Sequence, residues 1–182
     1  DEEMKRVRIG EQKRAAAVGG YSAQFLLGYP SGAVKNPGDS GRVVSSELAA
    51  IIDRCAPEIL YVHNFADKHV THVAVALRLA EEFPGLIARA AEAVRSLPAE
   101  RRPSKIYALE VWRGLDWLCD EDKTCFDTSE HPNLAAALLG VYDSQIAGGK
   151  RYDSAALGRR LANATFYASH DTDSFESCSY GI

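Results

Sequence analysis

The sequence predicts an α/β protein, a Rossmann-like three-layer fold with a mostly parallel sheet. Three observations carry that expectation. The apolar run Ile59-Leu60-Tyr61-Val62 after Pro57 has the length and composition of a strand buried on both faces of a parallel sheet. Helical patterns flank it on both sides, which is the order of a βαβ unit. A second strand-like run, Ile106 to Trp112, follows the later helical pattern.

The elements follow in order. Asp1 to Val18 is predicted as a helix with acidic residues in its first turn, Met4, Val7, Ala15 and Val18 on its inner face, and Gly19-Gly20 as its stop. Gln24 to Leu27 is predicted as a strand, and Gly28 to Gly41 as a long turn-rich loop of the kind that carries function. A helix beginning near Ser45 or Ser46 buries Leu48, Ile51, Ile52 and Cys55 before Pro57 ends it. After the strand, His63 to Ala66 form a loop, Asp67 stands as a plausible N-cap, and Val70, Val73, Leu77 and Ala80 recur at helical spacing.

Pro84 interrupts that helical pattern, which resumes from about Leu86 to Leu97 and stops at Pro98. Asn133 to Ile146 and Ala155 to Tyr167 are two further predicted helices broken by Gly148-Gly149, and the tail from Ser169 reads as irregular. No linker divides the chain, so residues 1–182 are read as one domain. The series opens on a helix with no strand ahead of it, whereas a Rossmann-like fold sets its first strand beside the site. A sheet lacking that strand would expose unpaired edge groups. The first strand is therefore expected ahead of Asp1, and the domain is read as N-terminally incomplete.

Composition narrows the function classes. With 46% hydrophobic and 25% charged residues the chain is an ordinary globular one, able to build a core. A formal charge of −4, with no basic stripe interleaved with aromatics, argues against nucleic acid as a partner. No apolar stretch is long enough to span a bilayer and no signal-peptide pattern stands at Asp1, so a soluble, cytoplasmic protein is expected. The oligomeric state has no legible code, and a homo-oligomer stays open. Cys55, Cys119, Cys125 and Cys178 lack Cys-x-x-Cys spacing and read as reduced, mostly buried thiols. The sequon Asn163-Ala164-Thr165 lies in a predicted helix and reads as chance.

The chemistry concentrates at Asp67-Lys68-His69-Val70-Thr71-His72, where a strand hands over to a helix. His69 and His72, three residues apart, lie one above the other on a helix face, so both rings can address one point. The positive end of the helix dipole disfavours imidazolium and keeps such rings neutral, ready to bind a metal or donate one hydrogen bond. A His-x-x-His pair also occurs on helices without a metal, and that reading stays open. Asp67 reads as a cap or a partner to a histidine ahead of a direct ligand. His63 reads as a neighbour of the site. Glu110, Arg113 and Asp116 line either a pocket or a solvated loop. Trp112 and Trp117 are core or a stacking wall for a ligand. His131 reads as structural, and no metal role is expected of His170, Asp171 and Asp173.

These residues resemble a known family, the zinc-dependent N-acetylglucosaminyl deacetylases of the LmbE-like (PIG-L type) superfamily. Phe65-Ala66-Asp67-Lys68-His69-Val70-Thr71-His72 occupies the family's Pro-x-Asp-x-His-x-Asp-His motif, with Phe65 for the proline and Thr71 for the acidic residue. Arg8 and Glu11 match an Arg-x-x-Glu pattern, and Leu26 to Gly32 resembles a Leu-Gly-Leu-Pro-Asp-Gly loop with Ser31 for the aspartate. The likeness runs to about Ile146. It implies His72 as a zinc ligand, His69 as oxyanion stabiliser or general acid with Asp67 grouped beside it as a candidate catalytic residue, and Arg8 near the substrate sugar. The other two zinc ligands and the catalytic base belong in the family to an Ala-His-Pro-Asp-Asp-Glu motif on the first strand, which residues 1–182 do not contain.

The implied activity is removal of an acetyl group from an N-acetylglucosamine-type substrate, a small acetylated amino sugar or glycoconjugate, by a zinc-dependent hydrolase. Such chemistry needs a metal with an open position, a base and an oxyanion stabiliser, and a catalytic zinc usually has three protein ligands. Two other readings are a non-catalytic sugar-binding or regulatory module with a degenerate metal site, and a deacetylase-like domain fused to other sugar-handling machinery.

Overall fold

A computed structural model of the chain describes residues 2–82, 103–168 and 170–182. The predicted helix from Leu86 to Leu97, with its flanking prolines, lies outside them. The chain is α/β and divides into two compact units, Gly28–Thr124 with Tyr180–Ile182, and Asp1–Leu27 with Cys125–Ser179.

The first of these units holds α2 (Ser31–Lys35), α3 (Asp39–Cys55), β1 (Ile59–His63), α4 (Val70–Glu82) and β2 (Lys105–Leu109). β1 and β2 pair in parallel from Ile59 opposite Lys105 to His63 opposite Leu109, as the βαβ order predicts. The outer neighbour of β2 is the end of β4 (Cys178–Gly181), and it runs antiparallel, with Leu109 opposite Gly181. Ala108 and Ile182 exchange both backbone bonds, at 2.7 and 3.1 Å. The sheet of this unit is therefore mixed. The tail expected to be irregular finishes as a strand whose end pairs with β2, and antiparallel pairing needs no crossover helix.

The core of this unit is Ile52, Val62, Ala76, Leu79 and Ala108, with Leu48, Leu60, Phe65 and Ile106 packed against it. β1 is buried only at Val62, and Ile59 and Tyr61 are exposed, so the expectation of a strand covered on both faces does not hold. α4 turns Ala76, Leu79 and Ala80 inward and leaves Val70 and Leu77 exposed, a stripe rotated from the predicted one. Ala74, Ala76 and Ala80 give the buried side of the helix small side chains.

α3 begins at Asp39, six residues before the predicted start at Ser45, and Cys55 at its end is exposed. It is joined to α4 by polar contacts. Buried Arg78 pairs with Glu81 at 2.8 Å and donates to the Asn36 carbonyl at 3.3 Å, while Ser45 Oγ donates to Glu81 at 2.8 Å. Ala56 closes α3 in the left-handed region, with φ 44°, its N–H on the Ile52 carbonyl.

The other unit holds α1 (Glu2–Val18), most of β3 (Thr124–Asp127), α5 (Pro132–Gly140), α6 (Asp143–Gln145), a wide turn over Ile146–Lys150, and α7 (Tyr152–Thr165). The long helix predicted from Asn133 to Ile146 is thus two pieces. α1 matches its prediction in extent, but Met4, Val7 and Val18 are exposed, and its buried residues are Glu11 and Ala15. Glu11 is held by Ser144, whose backbone N–H and hydroxyl donate to its two oxygens at 2.7 and 2.8 Å. Gln24 to Leu27 forms no strand. Gln24 Nε2 donates to the Gln12 carbonyl at 3.0 Å, and Phe25, Leu26 and Leu27 stay exposed. Asn163 is buried and donates to the Cys178 carbonyl at 3.3 Å, which accounts for the sequon residue structurally. Of the four cysteines only Cys178 is buried, and among the described residues none forms a disulfide.

Candidate functional site

β1 delivers its last residue, His63, to the carboxyl edge of the parallel pair, and the loop that follows is fixed by buried polar groups. Asn64 is fully buried, and its backbone N–H and its Nδ2 both donate to the Leu109 carbonyl, at 3.1 and 2.9 Å. The loop therefore starts bolted to the end of β2.

Asp67 is the centre of the loop. Its carboxylate is fully buried, one oxygen accepting the His69 N–H at 2.7 Å and the other the Trp112 N–H at 2.9 Å. Burial pushes the carboxyl pKa up, but the amides of His69, Trp112 and Arg113 together with His72 outweigh it and hold it below the usual value. The expected cap is real in chemistry and shifted in position, since the bond goes to His69 and α4 begins at Val70. His69 itself accepts the first helical bonds, from His72 N at 2.9 Å and Val73 N at 3.2 Å.

Three imidazoles gather here. The His72 ring stacks on His63 with centroids 4.2 Å apart and 17° between planes, and His69 lies on it at 4.5 Å and 30°. Trp112 stands beyond His69 at 6.1 Å. Sequence reasoning paired His69 with His72 correctly but set His63 only nearby, because ring stacking across a loop leaves no periodic signal. Burial lowers the pKa of His63 and of His72; His72 and His69 lower that of His63 further, whereas Asp67 raises both.

The fit to a metal can be tested on these atoms. His72 Nδ1 lies 3.3 Å from an Asp67 oxygen, too poorly aligned to count as a formed hydrogen bond, and both it and His63 Nδ1 are buried without one. Slight tightening would let Nδ1–H of His72 donate to Asp67 and leave Nε2 with its lone pair, the arrangement of a ligating histidine oriented by a carboxylate. One ligand and its orienting group therefore fit. The His63 and His72 rings are near-parallel and cannot aim their in-plane lone pairs at one tetrahedral centre, so His63 does not complete the set in this arrangement. Among the described residues no group of three or more His, Cys, Asp and Glu is placed to hold a metal ion.

The remaining predicted residues separate. Arg8 is exposed on α1, in the unit that does not contain His63, His69 and His72. Glu110 is buried, Trp112 partly exposed and Trp117 exposed, its indole N–H donating to the Gly114 carbonyl at 2.9 Å. His131 stands before Pro132 at the start of α5, and His170, Asp171 and Asp173 are exposed. Ser31 and Thr71 hydrogen-bond each other through their hydroxyls at 2.7 Å. Among the described residues no helix is long and apolar enough to cross a membrane.

No family model matches the chain, and no curated protein matches it. Among solved structures, the crystal structure of the conserved protein TT1542 from Thermus thermophilus is similar, with a TM-score of 0.67, 17% identity, and coverage of 97% of this chain and 72% of that one. At that identity the likeness speaks for the fold alone.

Proposed function

We propose that the chain is part of a zinc-dependent amide hydrolase that removes the acetyl group from an N-acetylglucosamine-type substrate, on a Rossmann-like fold and in the cytoplasm. The observation that carries this reading is the seating of His72 at the carboxyl edge of β1, with the Asp67 carboxylate 3.3 Å from its Nδ1. When bound, zinc supplies the Lewis acidity that activates water and polarises the amide carbonyl. His72 is its ligand. Asp67 selects the ring tautomer, and His69, with its backbone fixed by Asp67, donates a hydrogen bond to the developing oxyanion. Trp112 walls the site beside His69. Arg8 keeps its sugar-binding role on the motif resemblance alone. The other ligands and the base belong to the Ala-His-Pro-Asp-Asp-Glu motif that the resemblance sets ahead of the first helix.

One observation favours a second reading. The stacked, non-converging rings suit a non-catalytic sugar-binding module with a degenerate metal site. Acetate release from N-acetylglucosamine conjugates by the full-length protein separates the two. Release that needs zinc and stops with chelator supports the hydrolase; sugar binding without acetate release in zinc-saturated protein supports the module.

A further inference from the structure

A buried carboxylate two residues from Trp112 has no part in the chemistry above. Glu110 follows β2 directly and is only 8% exposed, and a carboxylate so buried must be satisfied by donors. Its Oε1 accepts the Tyr180 N–H at 3.1 Å and its Oε2 accepts the Leu115 N–H at 3.2 Å. Its own N–H donates to the Tyr180 carbonyl at 3.1 Å. Leu115 is fully buried, so the loop between Glu110 and Leu115 is closed at both ends on one side chain.

That loop carries the Trp112 amide that reaches Asp67, and Asp67 in turn touches the His69 amide and His72 Nδ1. We infer that Glu110 is a positioning residue: by clamping the Val111-to-Leu115 loop it fixes the Trp112 N–H on Asp67 and so sets the orientation of the His72 ring. The inference rests on the reading of His72 as the working imidazole of the site. Two backbone N–H groups face the side chain, so both of its oxygens must accept. Glutamine offers one acceptor and turns an NH2 toward the other donor, which breaks one end of the clamp.

The test is the imidazole nitrogen spectrum of the metal-free full-length protein at one pH above neutrality. In Glu110→Gln the His72 Nδ1 and Nε2 signals move in the same direction as in Asp67→Asn, the double variant moves no further than Asp67→Asn, and His131 stays still. Glu110→Gln protein that loses thermal stability while His72 keeps its native signals overturns the inference, because a merely structural carboxylate would behave so. Should Glu110→Gln not fold, amide exchange in the unaltered protein decides. Trp112 and Leu115 opening together with one protection factor supports the clamp, and independent opening overturns it. The zinc reading fails separately: protein that binds no zinc yet shows the coupled His72 shift loses the hydrolase assignment and keeps the positioning role.

Discussion

The Asp67 carboxylate joins the Trp112 amide, 45 residues away, to the turn that starts α4, at 2.9 Å. Asp67→Asn replaces one acceptor oxygen by a donor that faces an N–H. Urea unfolding at neutral pH should show a loss of about 2 kcal/mol, the scale of a buried hydrogen bond to a charged group. A loss within ~0.5 kcal/mol would mean that the loop does not depend on this carboxylate.

Acid should weaken the fold through the stacked histidines. His63 and His72 ordinarily titrate near 6.5, and in the fold burial holds both lower, with the neighbouring rings adding and Asp67 subtracting. Below 6.5 the unfolded chain takes up protons that the folded chain refuses, so stability is complete above that value and is lost as pH falls toward the lowered folded values. Asp67, with a lowered pKa of its own, loses its contribution only further down, as pH falls below its usual 3.8 and through the folded value. A urea midpoint that drops between neutrality and about pH 5, and drops less in His63→Gln, is the expected result.

Ser31 and Thr71 form a neutral hydroxyl pair at 2.7 Å. Aspartate at both positions would set two carboxylates within hydrogen-bond reach, and one of them would titrate above the ordinary range. The double variant should be less stable at neutral pH than either single one and recover on mild acidification; additive single effects with no pH dependence would contradict the contact.

Much of the site's backbone was readable and much of its wiring was not. Ile59 to Val62 and the helix after it announce themselves by composition and period, and Asp67 by its place before a helix. Trp112 contributes through its amide, a group every residue but proline carries, so no side-chain pattern marks it. Cys178 to Gly181 carries one β-favouring residue, Tyr180, and becomes a strand through its pairing partners in the sheet. Gln24 to Leu27 reads as a strand and finds no ladder. Gly41 shows the reverse case, a glycine read as part of a loop that proves to lie in the first turn of α3.

A Cβ on Gly41 would overlap the Asn36 carbonyl oxygen and crowd the Arg78 guanidinium. Alanine gains about 1 kcal/mol in helix propensity but pushes on the Asn36 backbone and on the buried Arg78 guanidinium. Gly41→Ala should therefore lose about 2 kcal/mol net in thermal or urea unfolding. A gain in stability would show that α2 and α3 yield easily at this point.

Zinc titration of the full-length protein, beside His72→Ala and the control His131→Ala in the other unit, decides whether His72 is a metal ligand. One tightly held zinc per chain is expected in the native protein and in His131→Ala, and its loss in His72→Ala. Equal zinc affinity in all three would contradict the ligand role of His72.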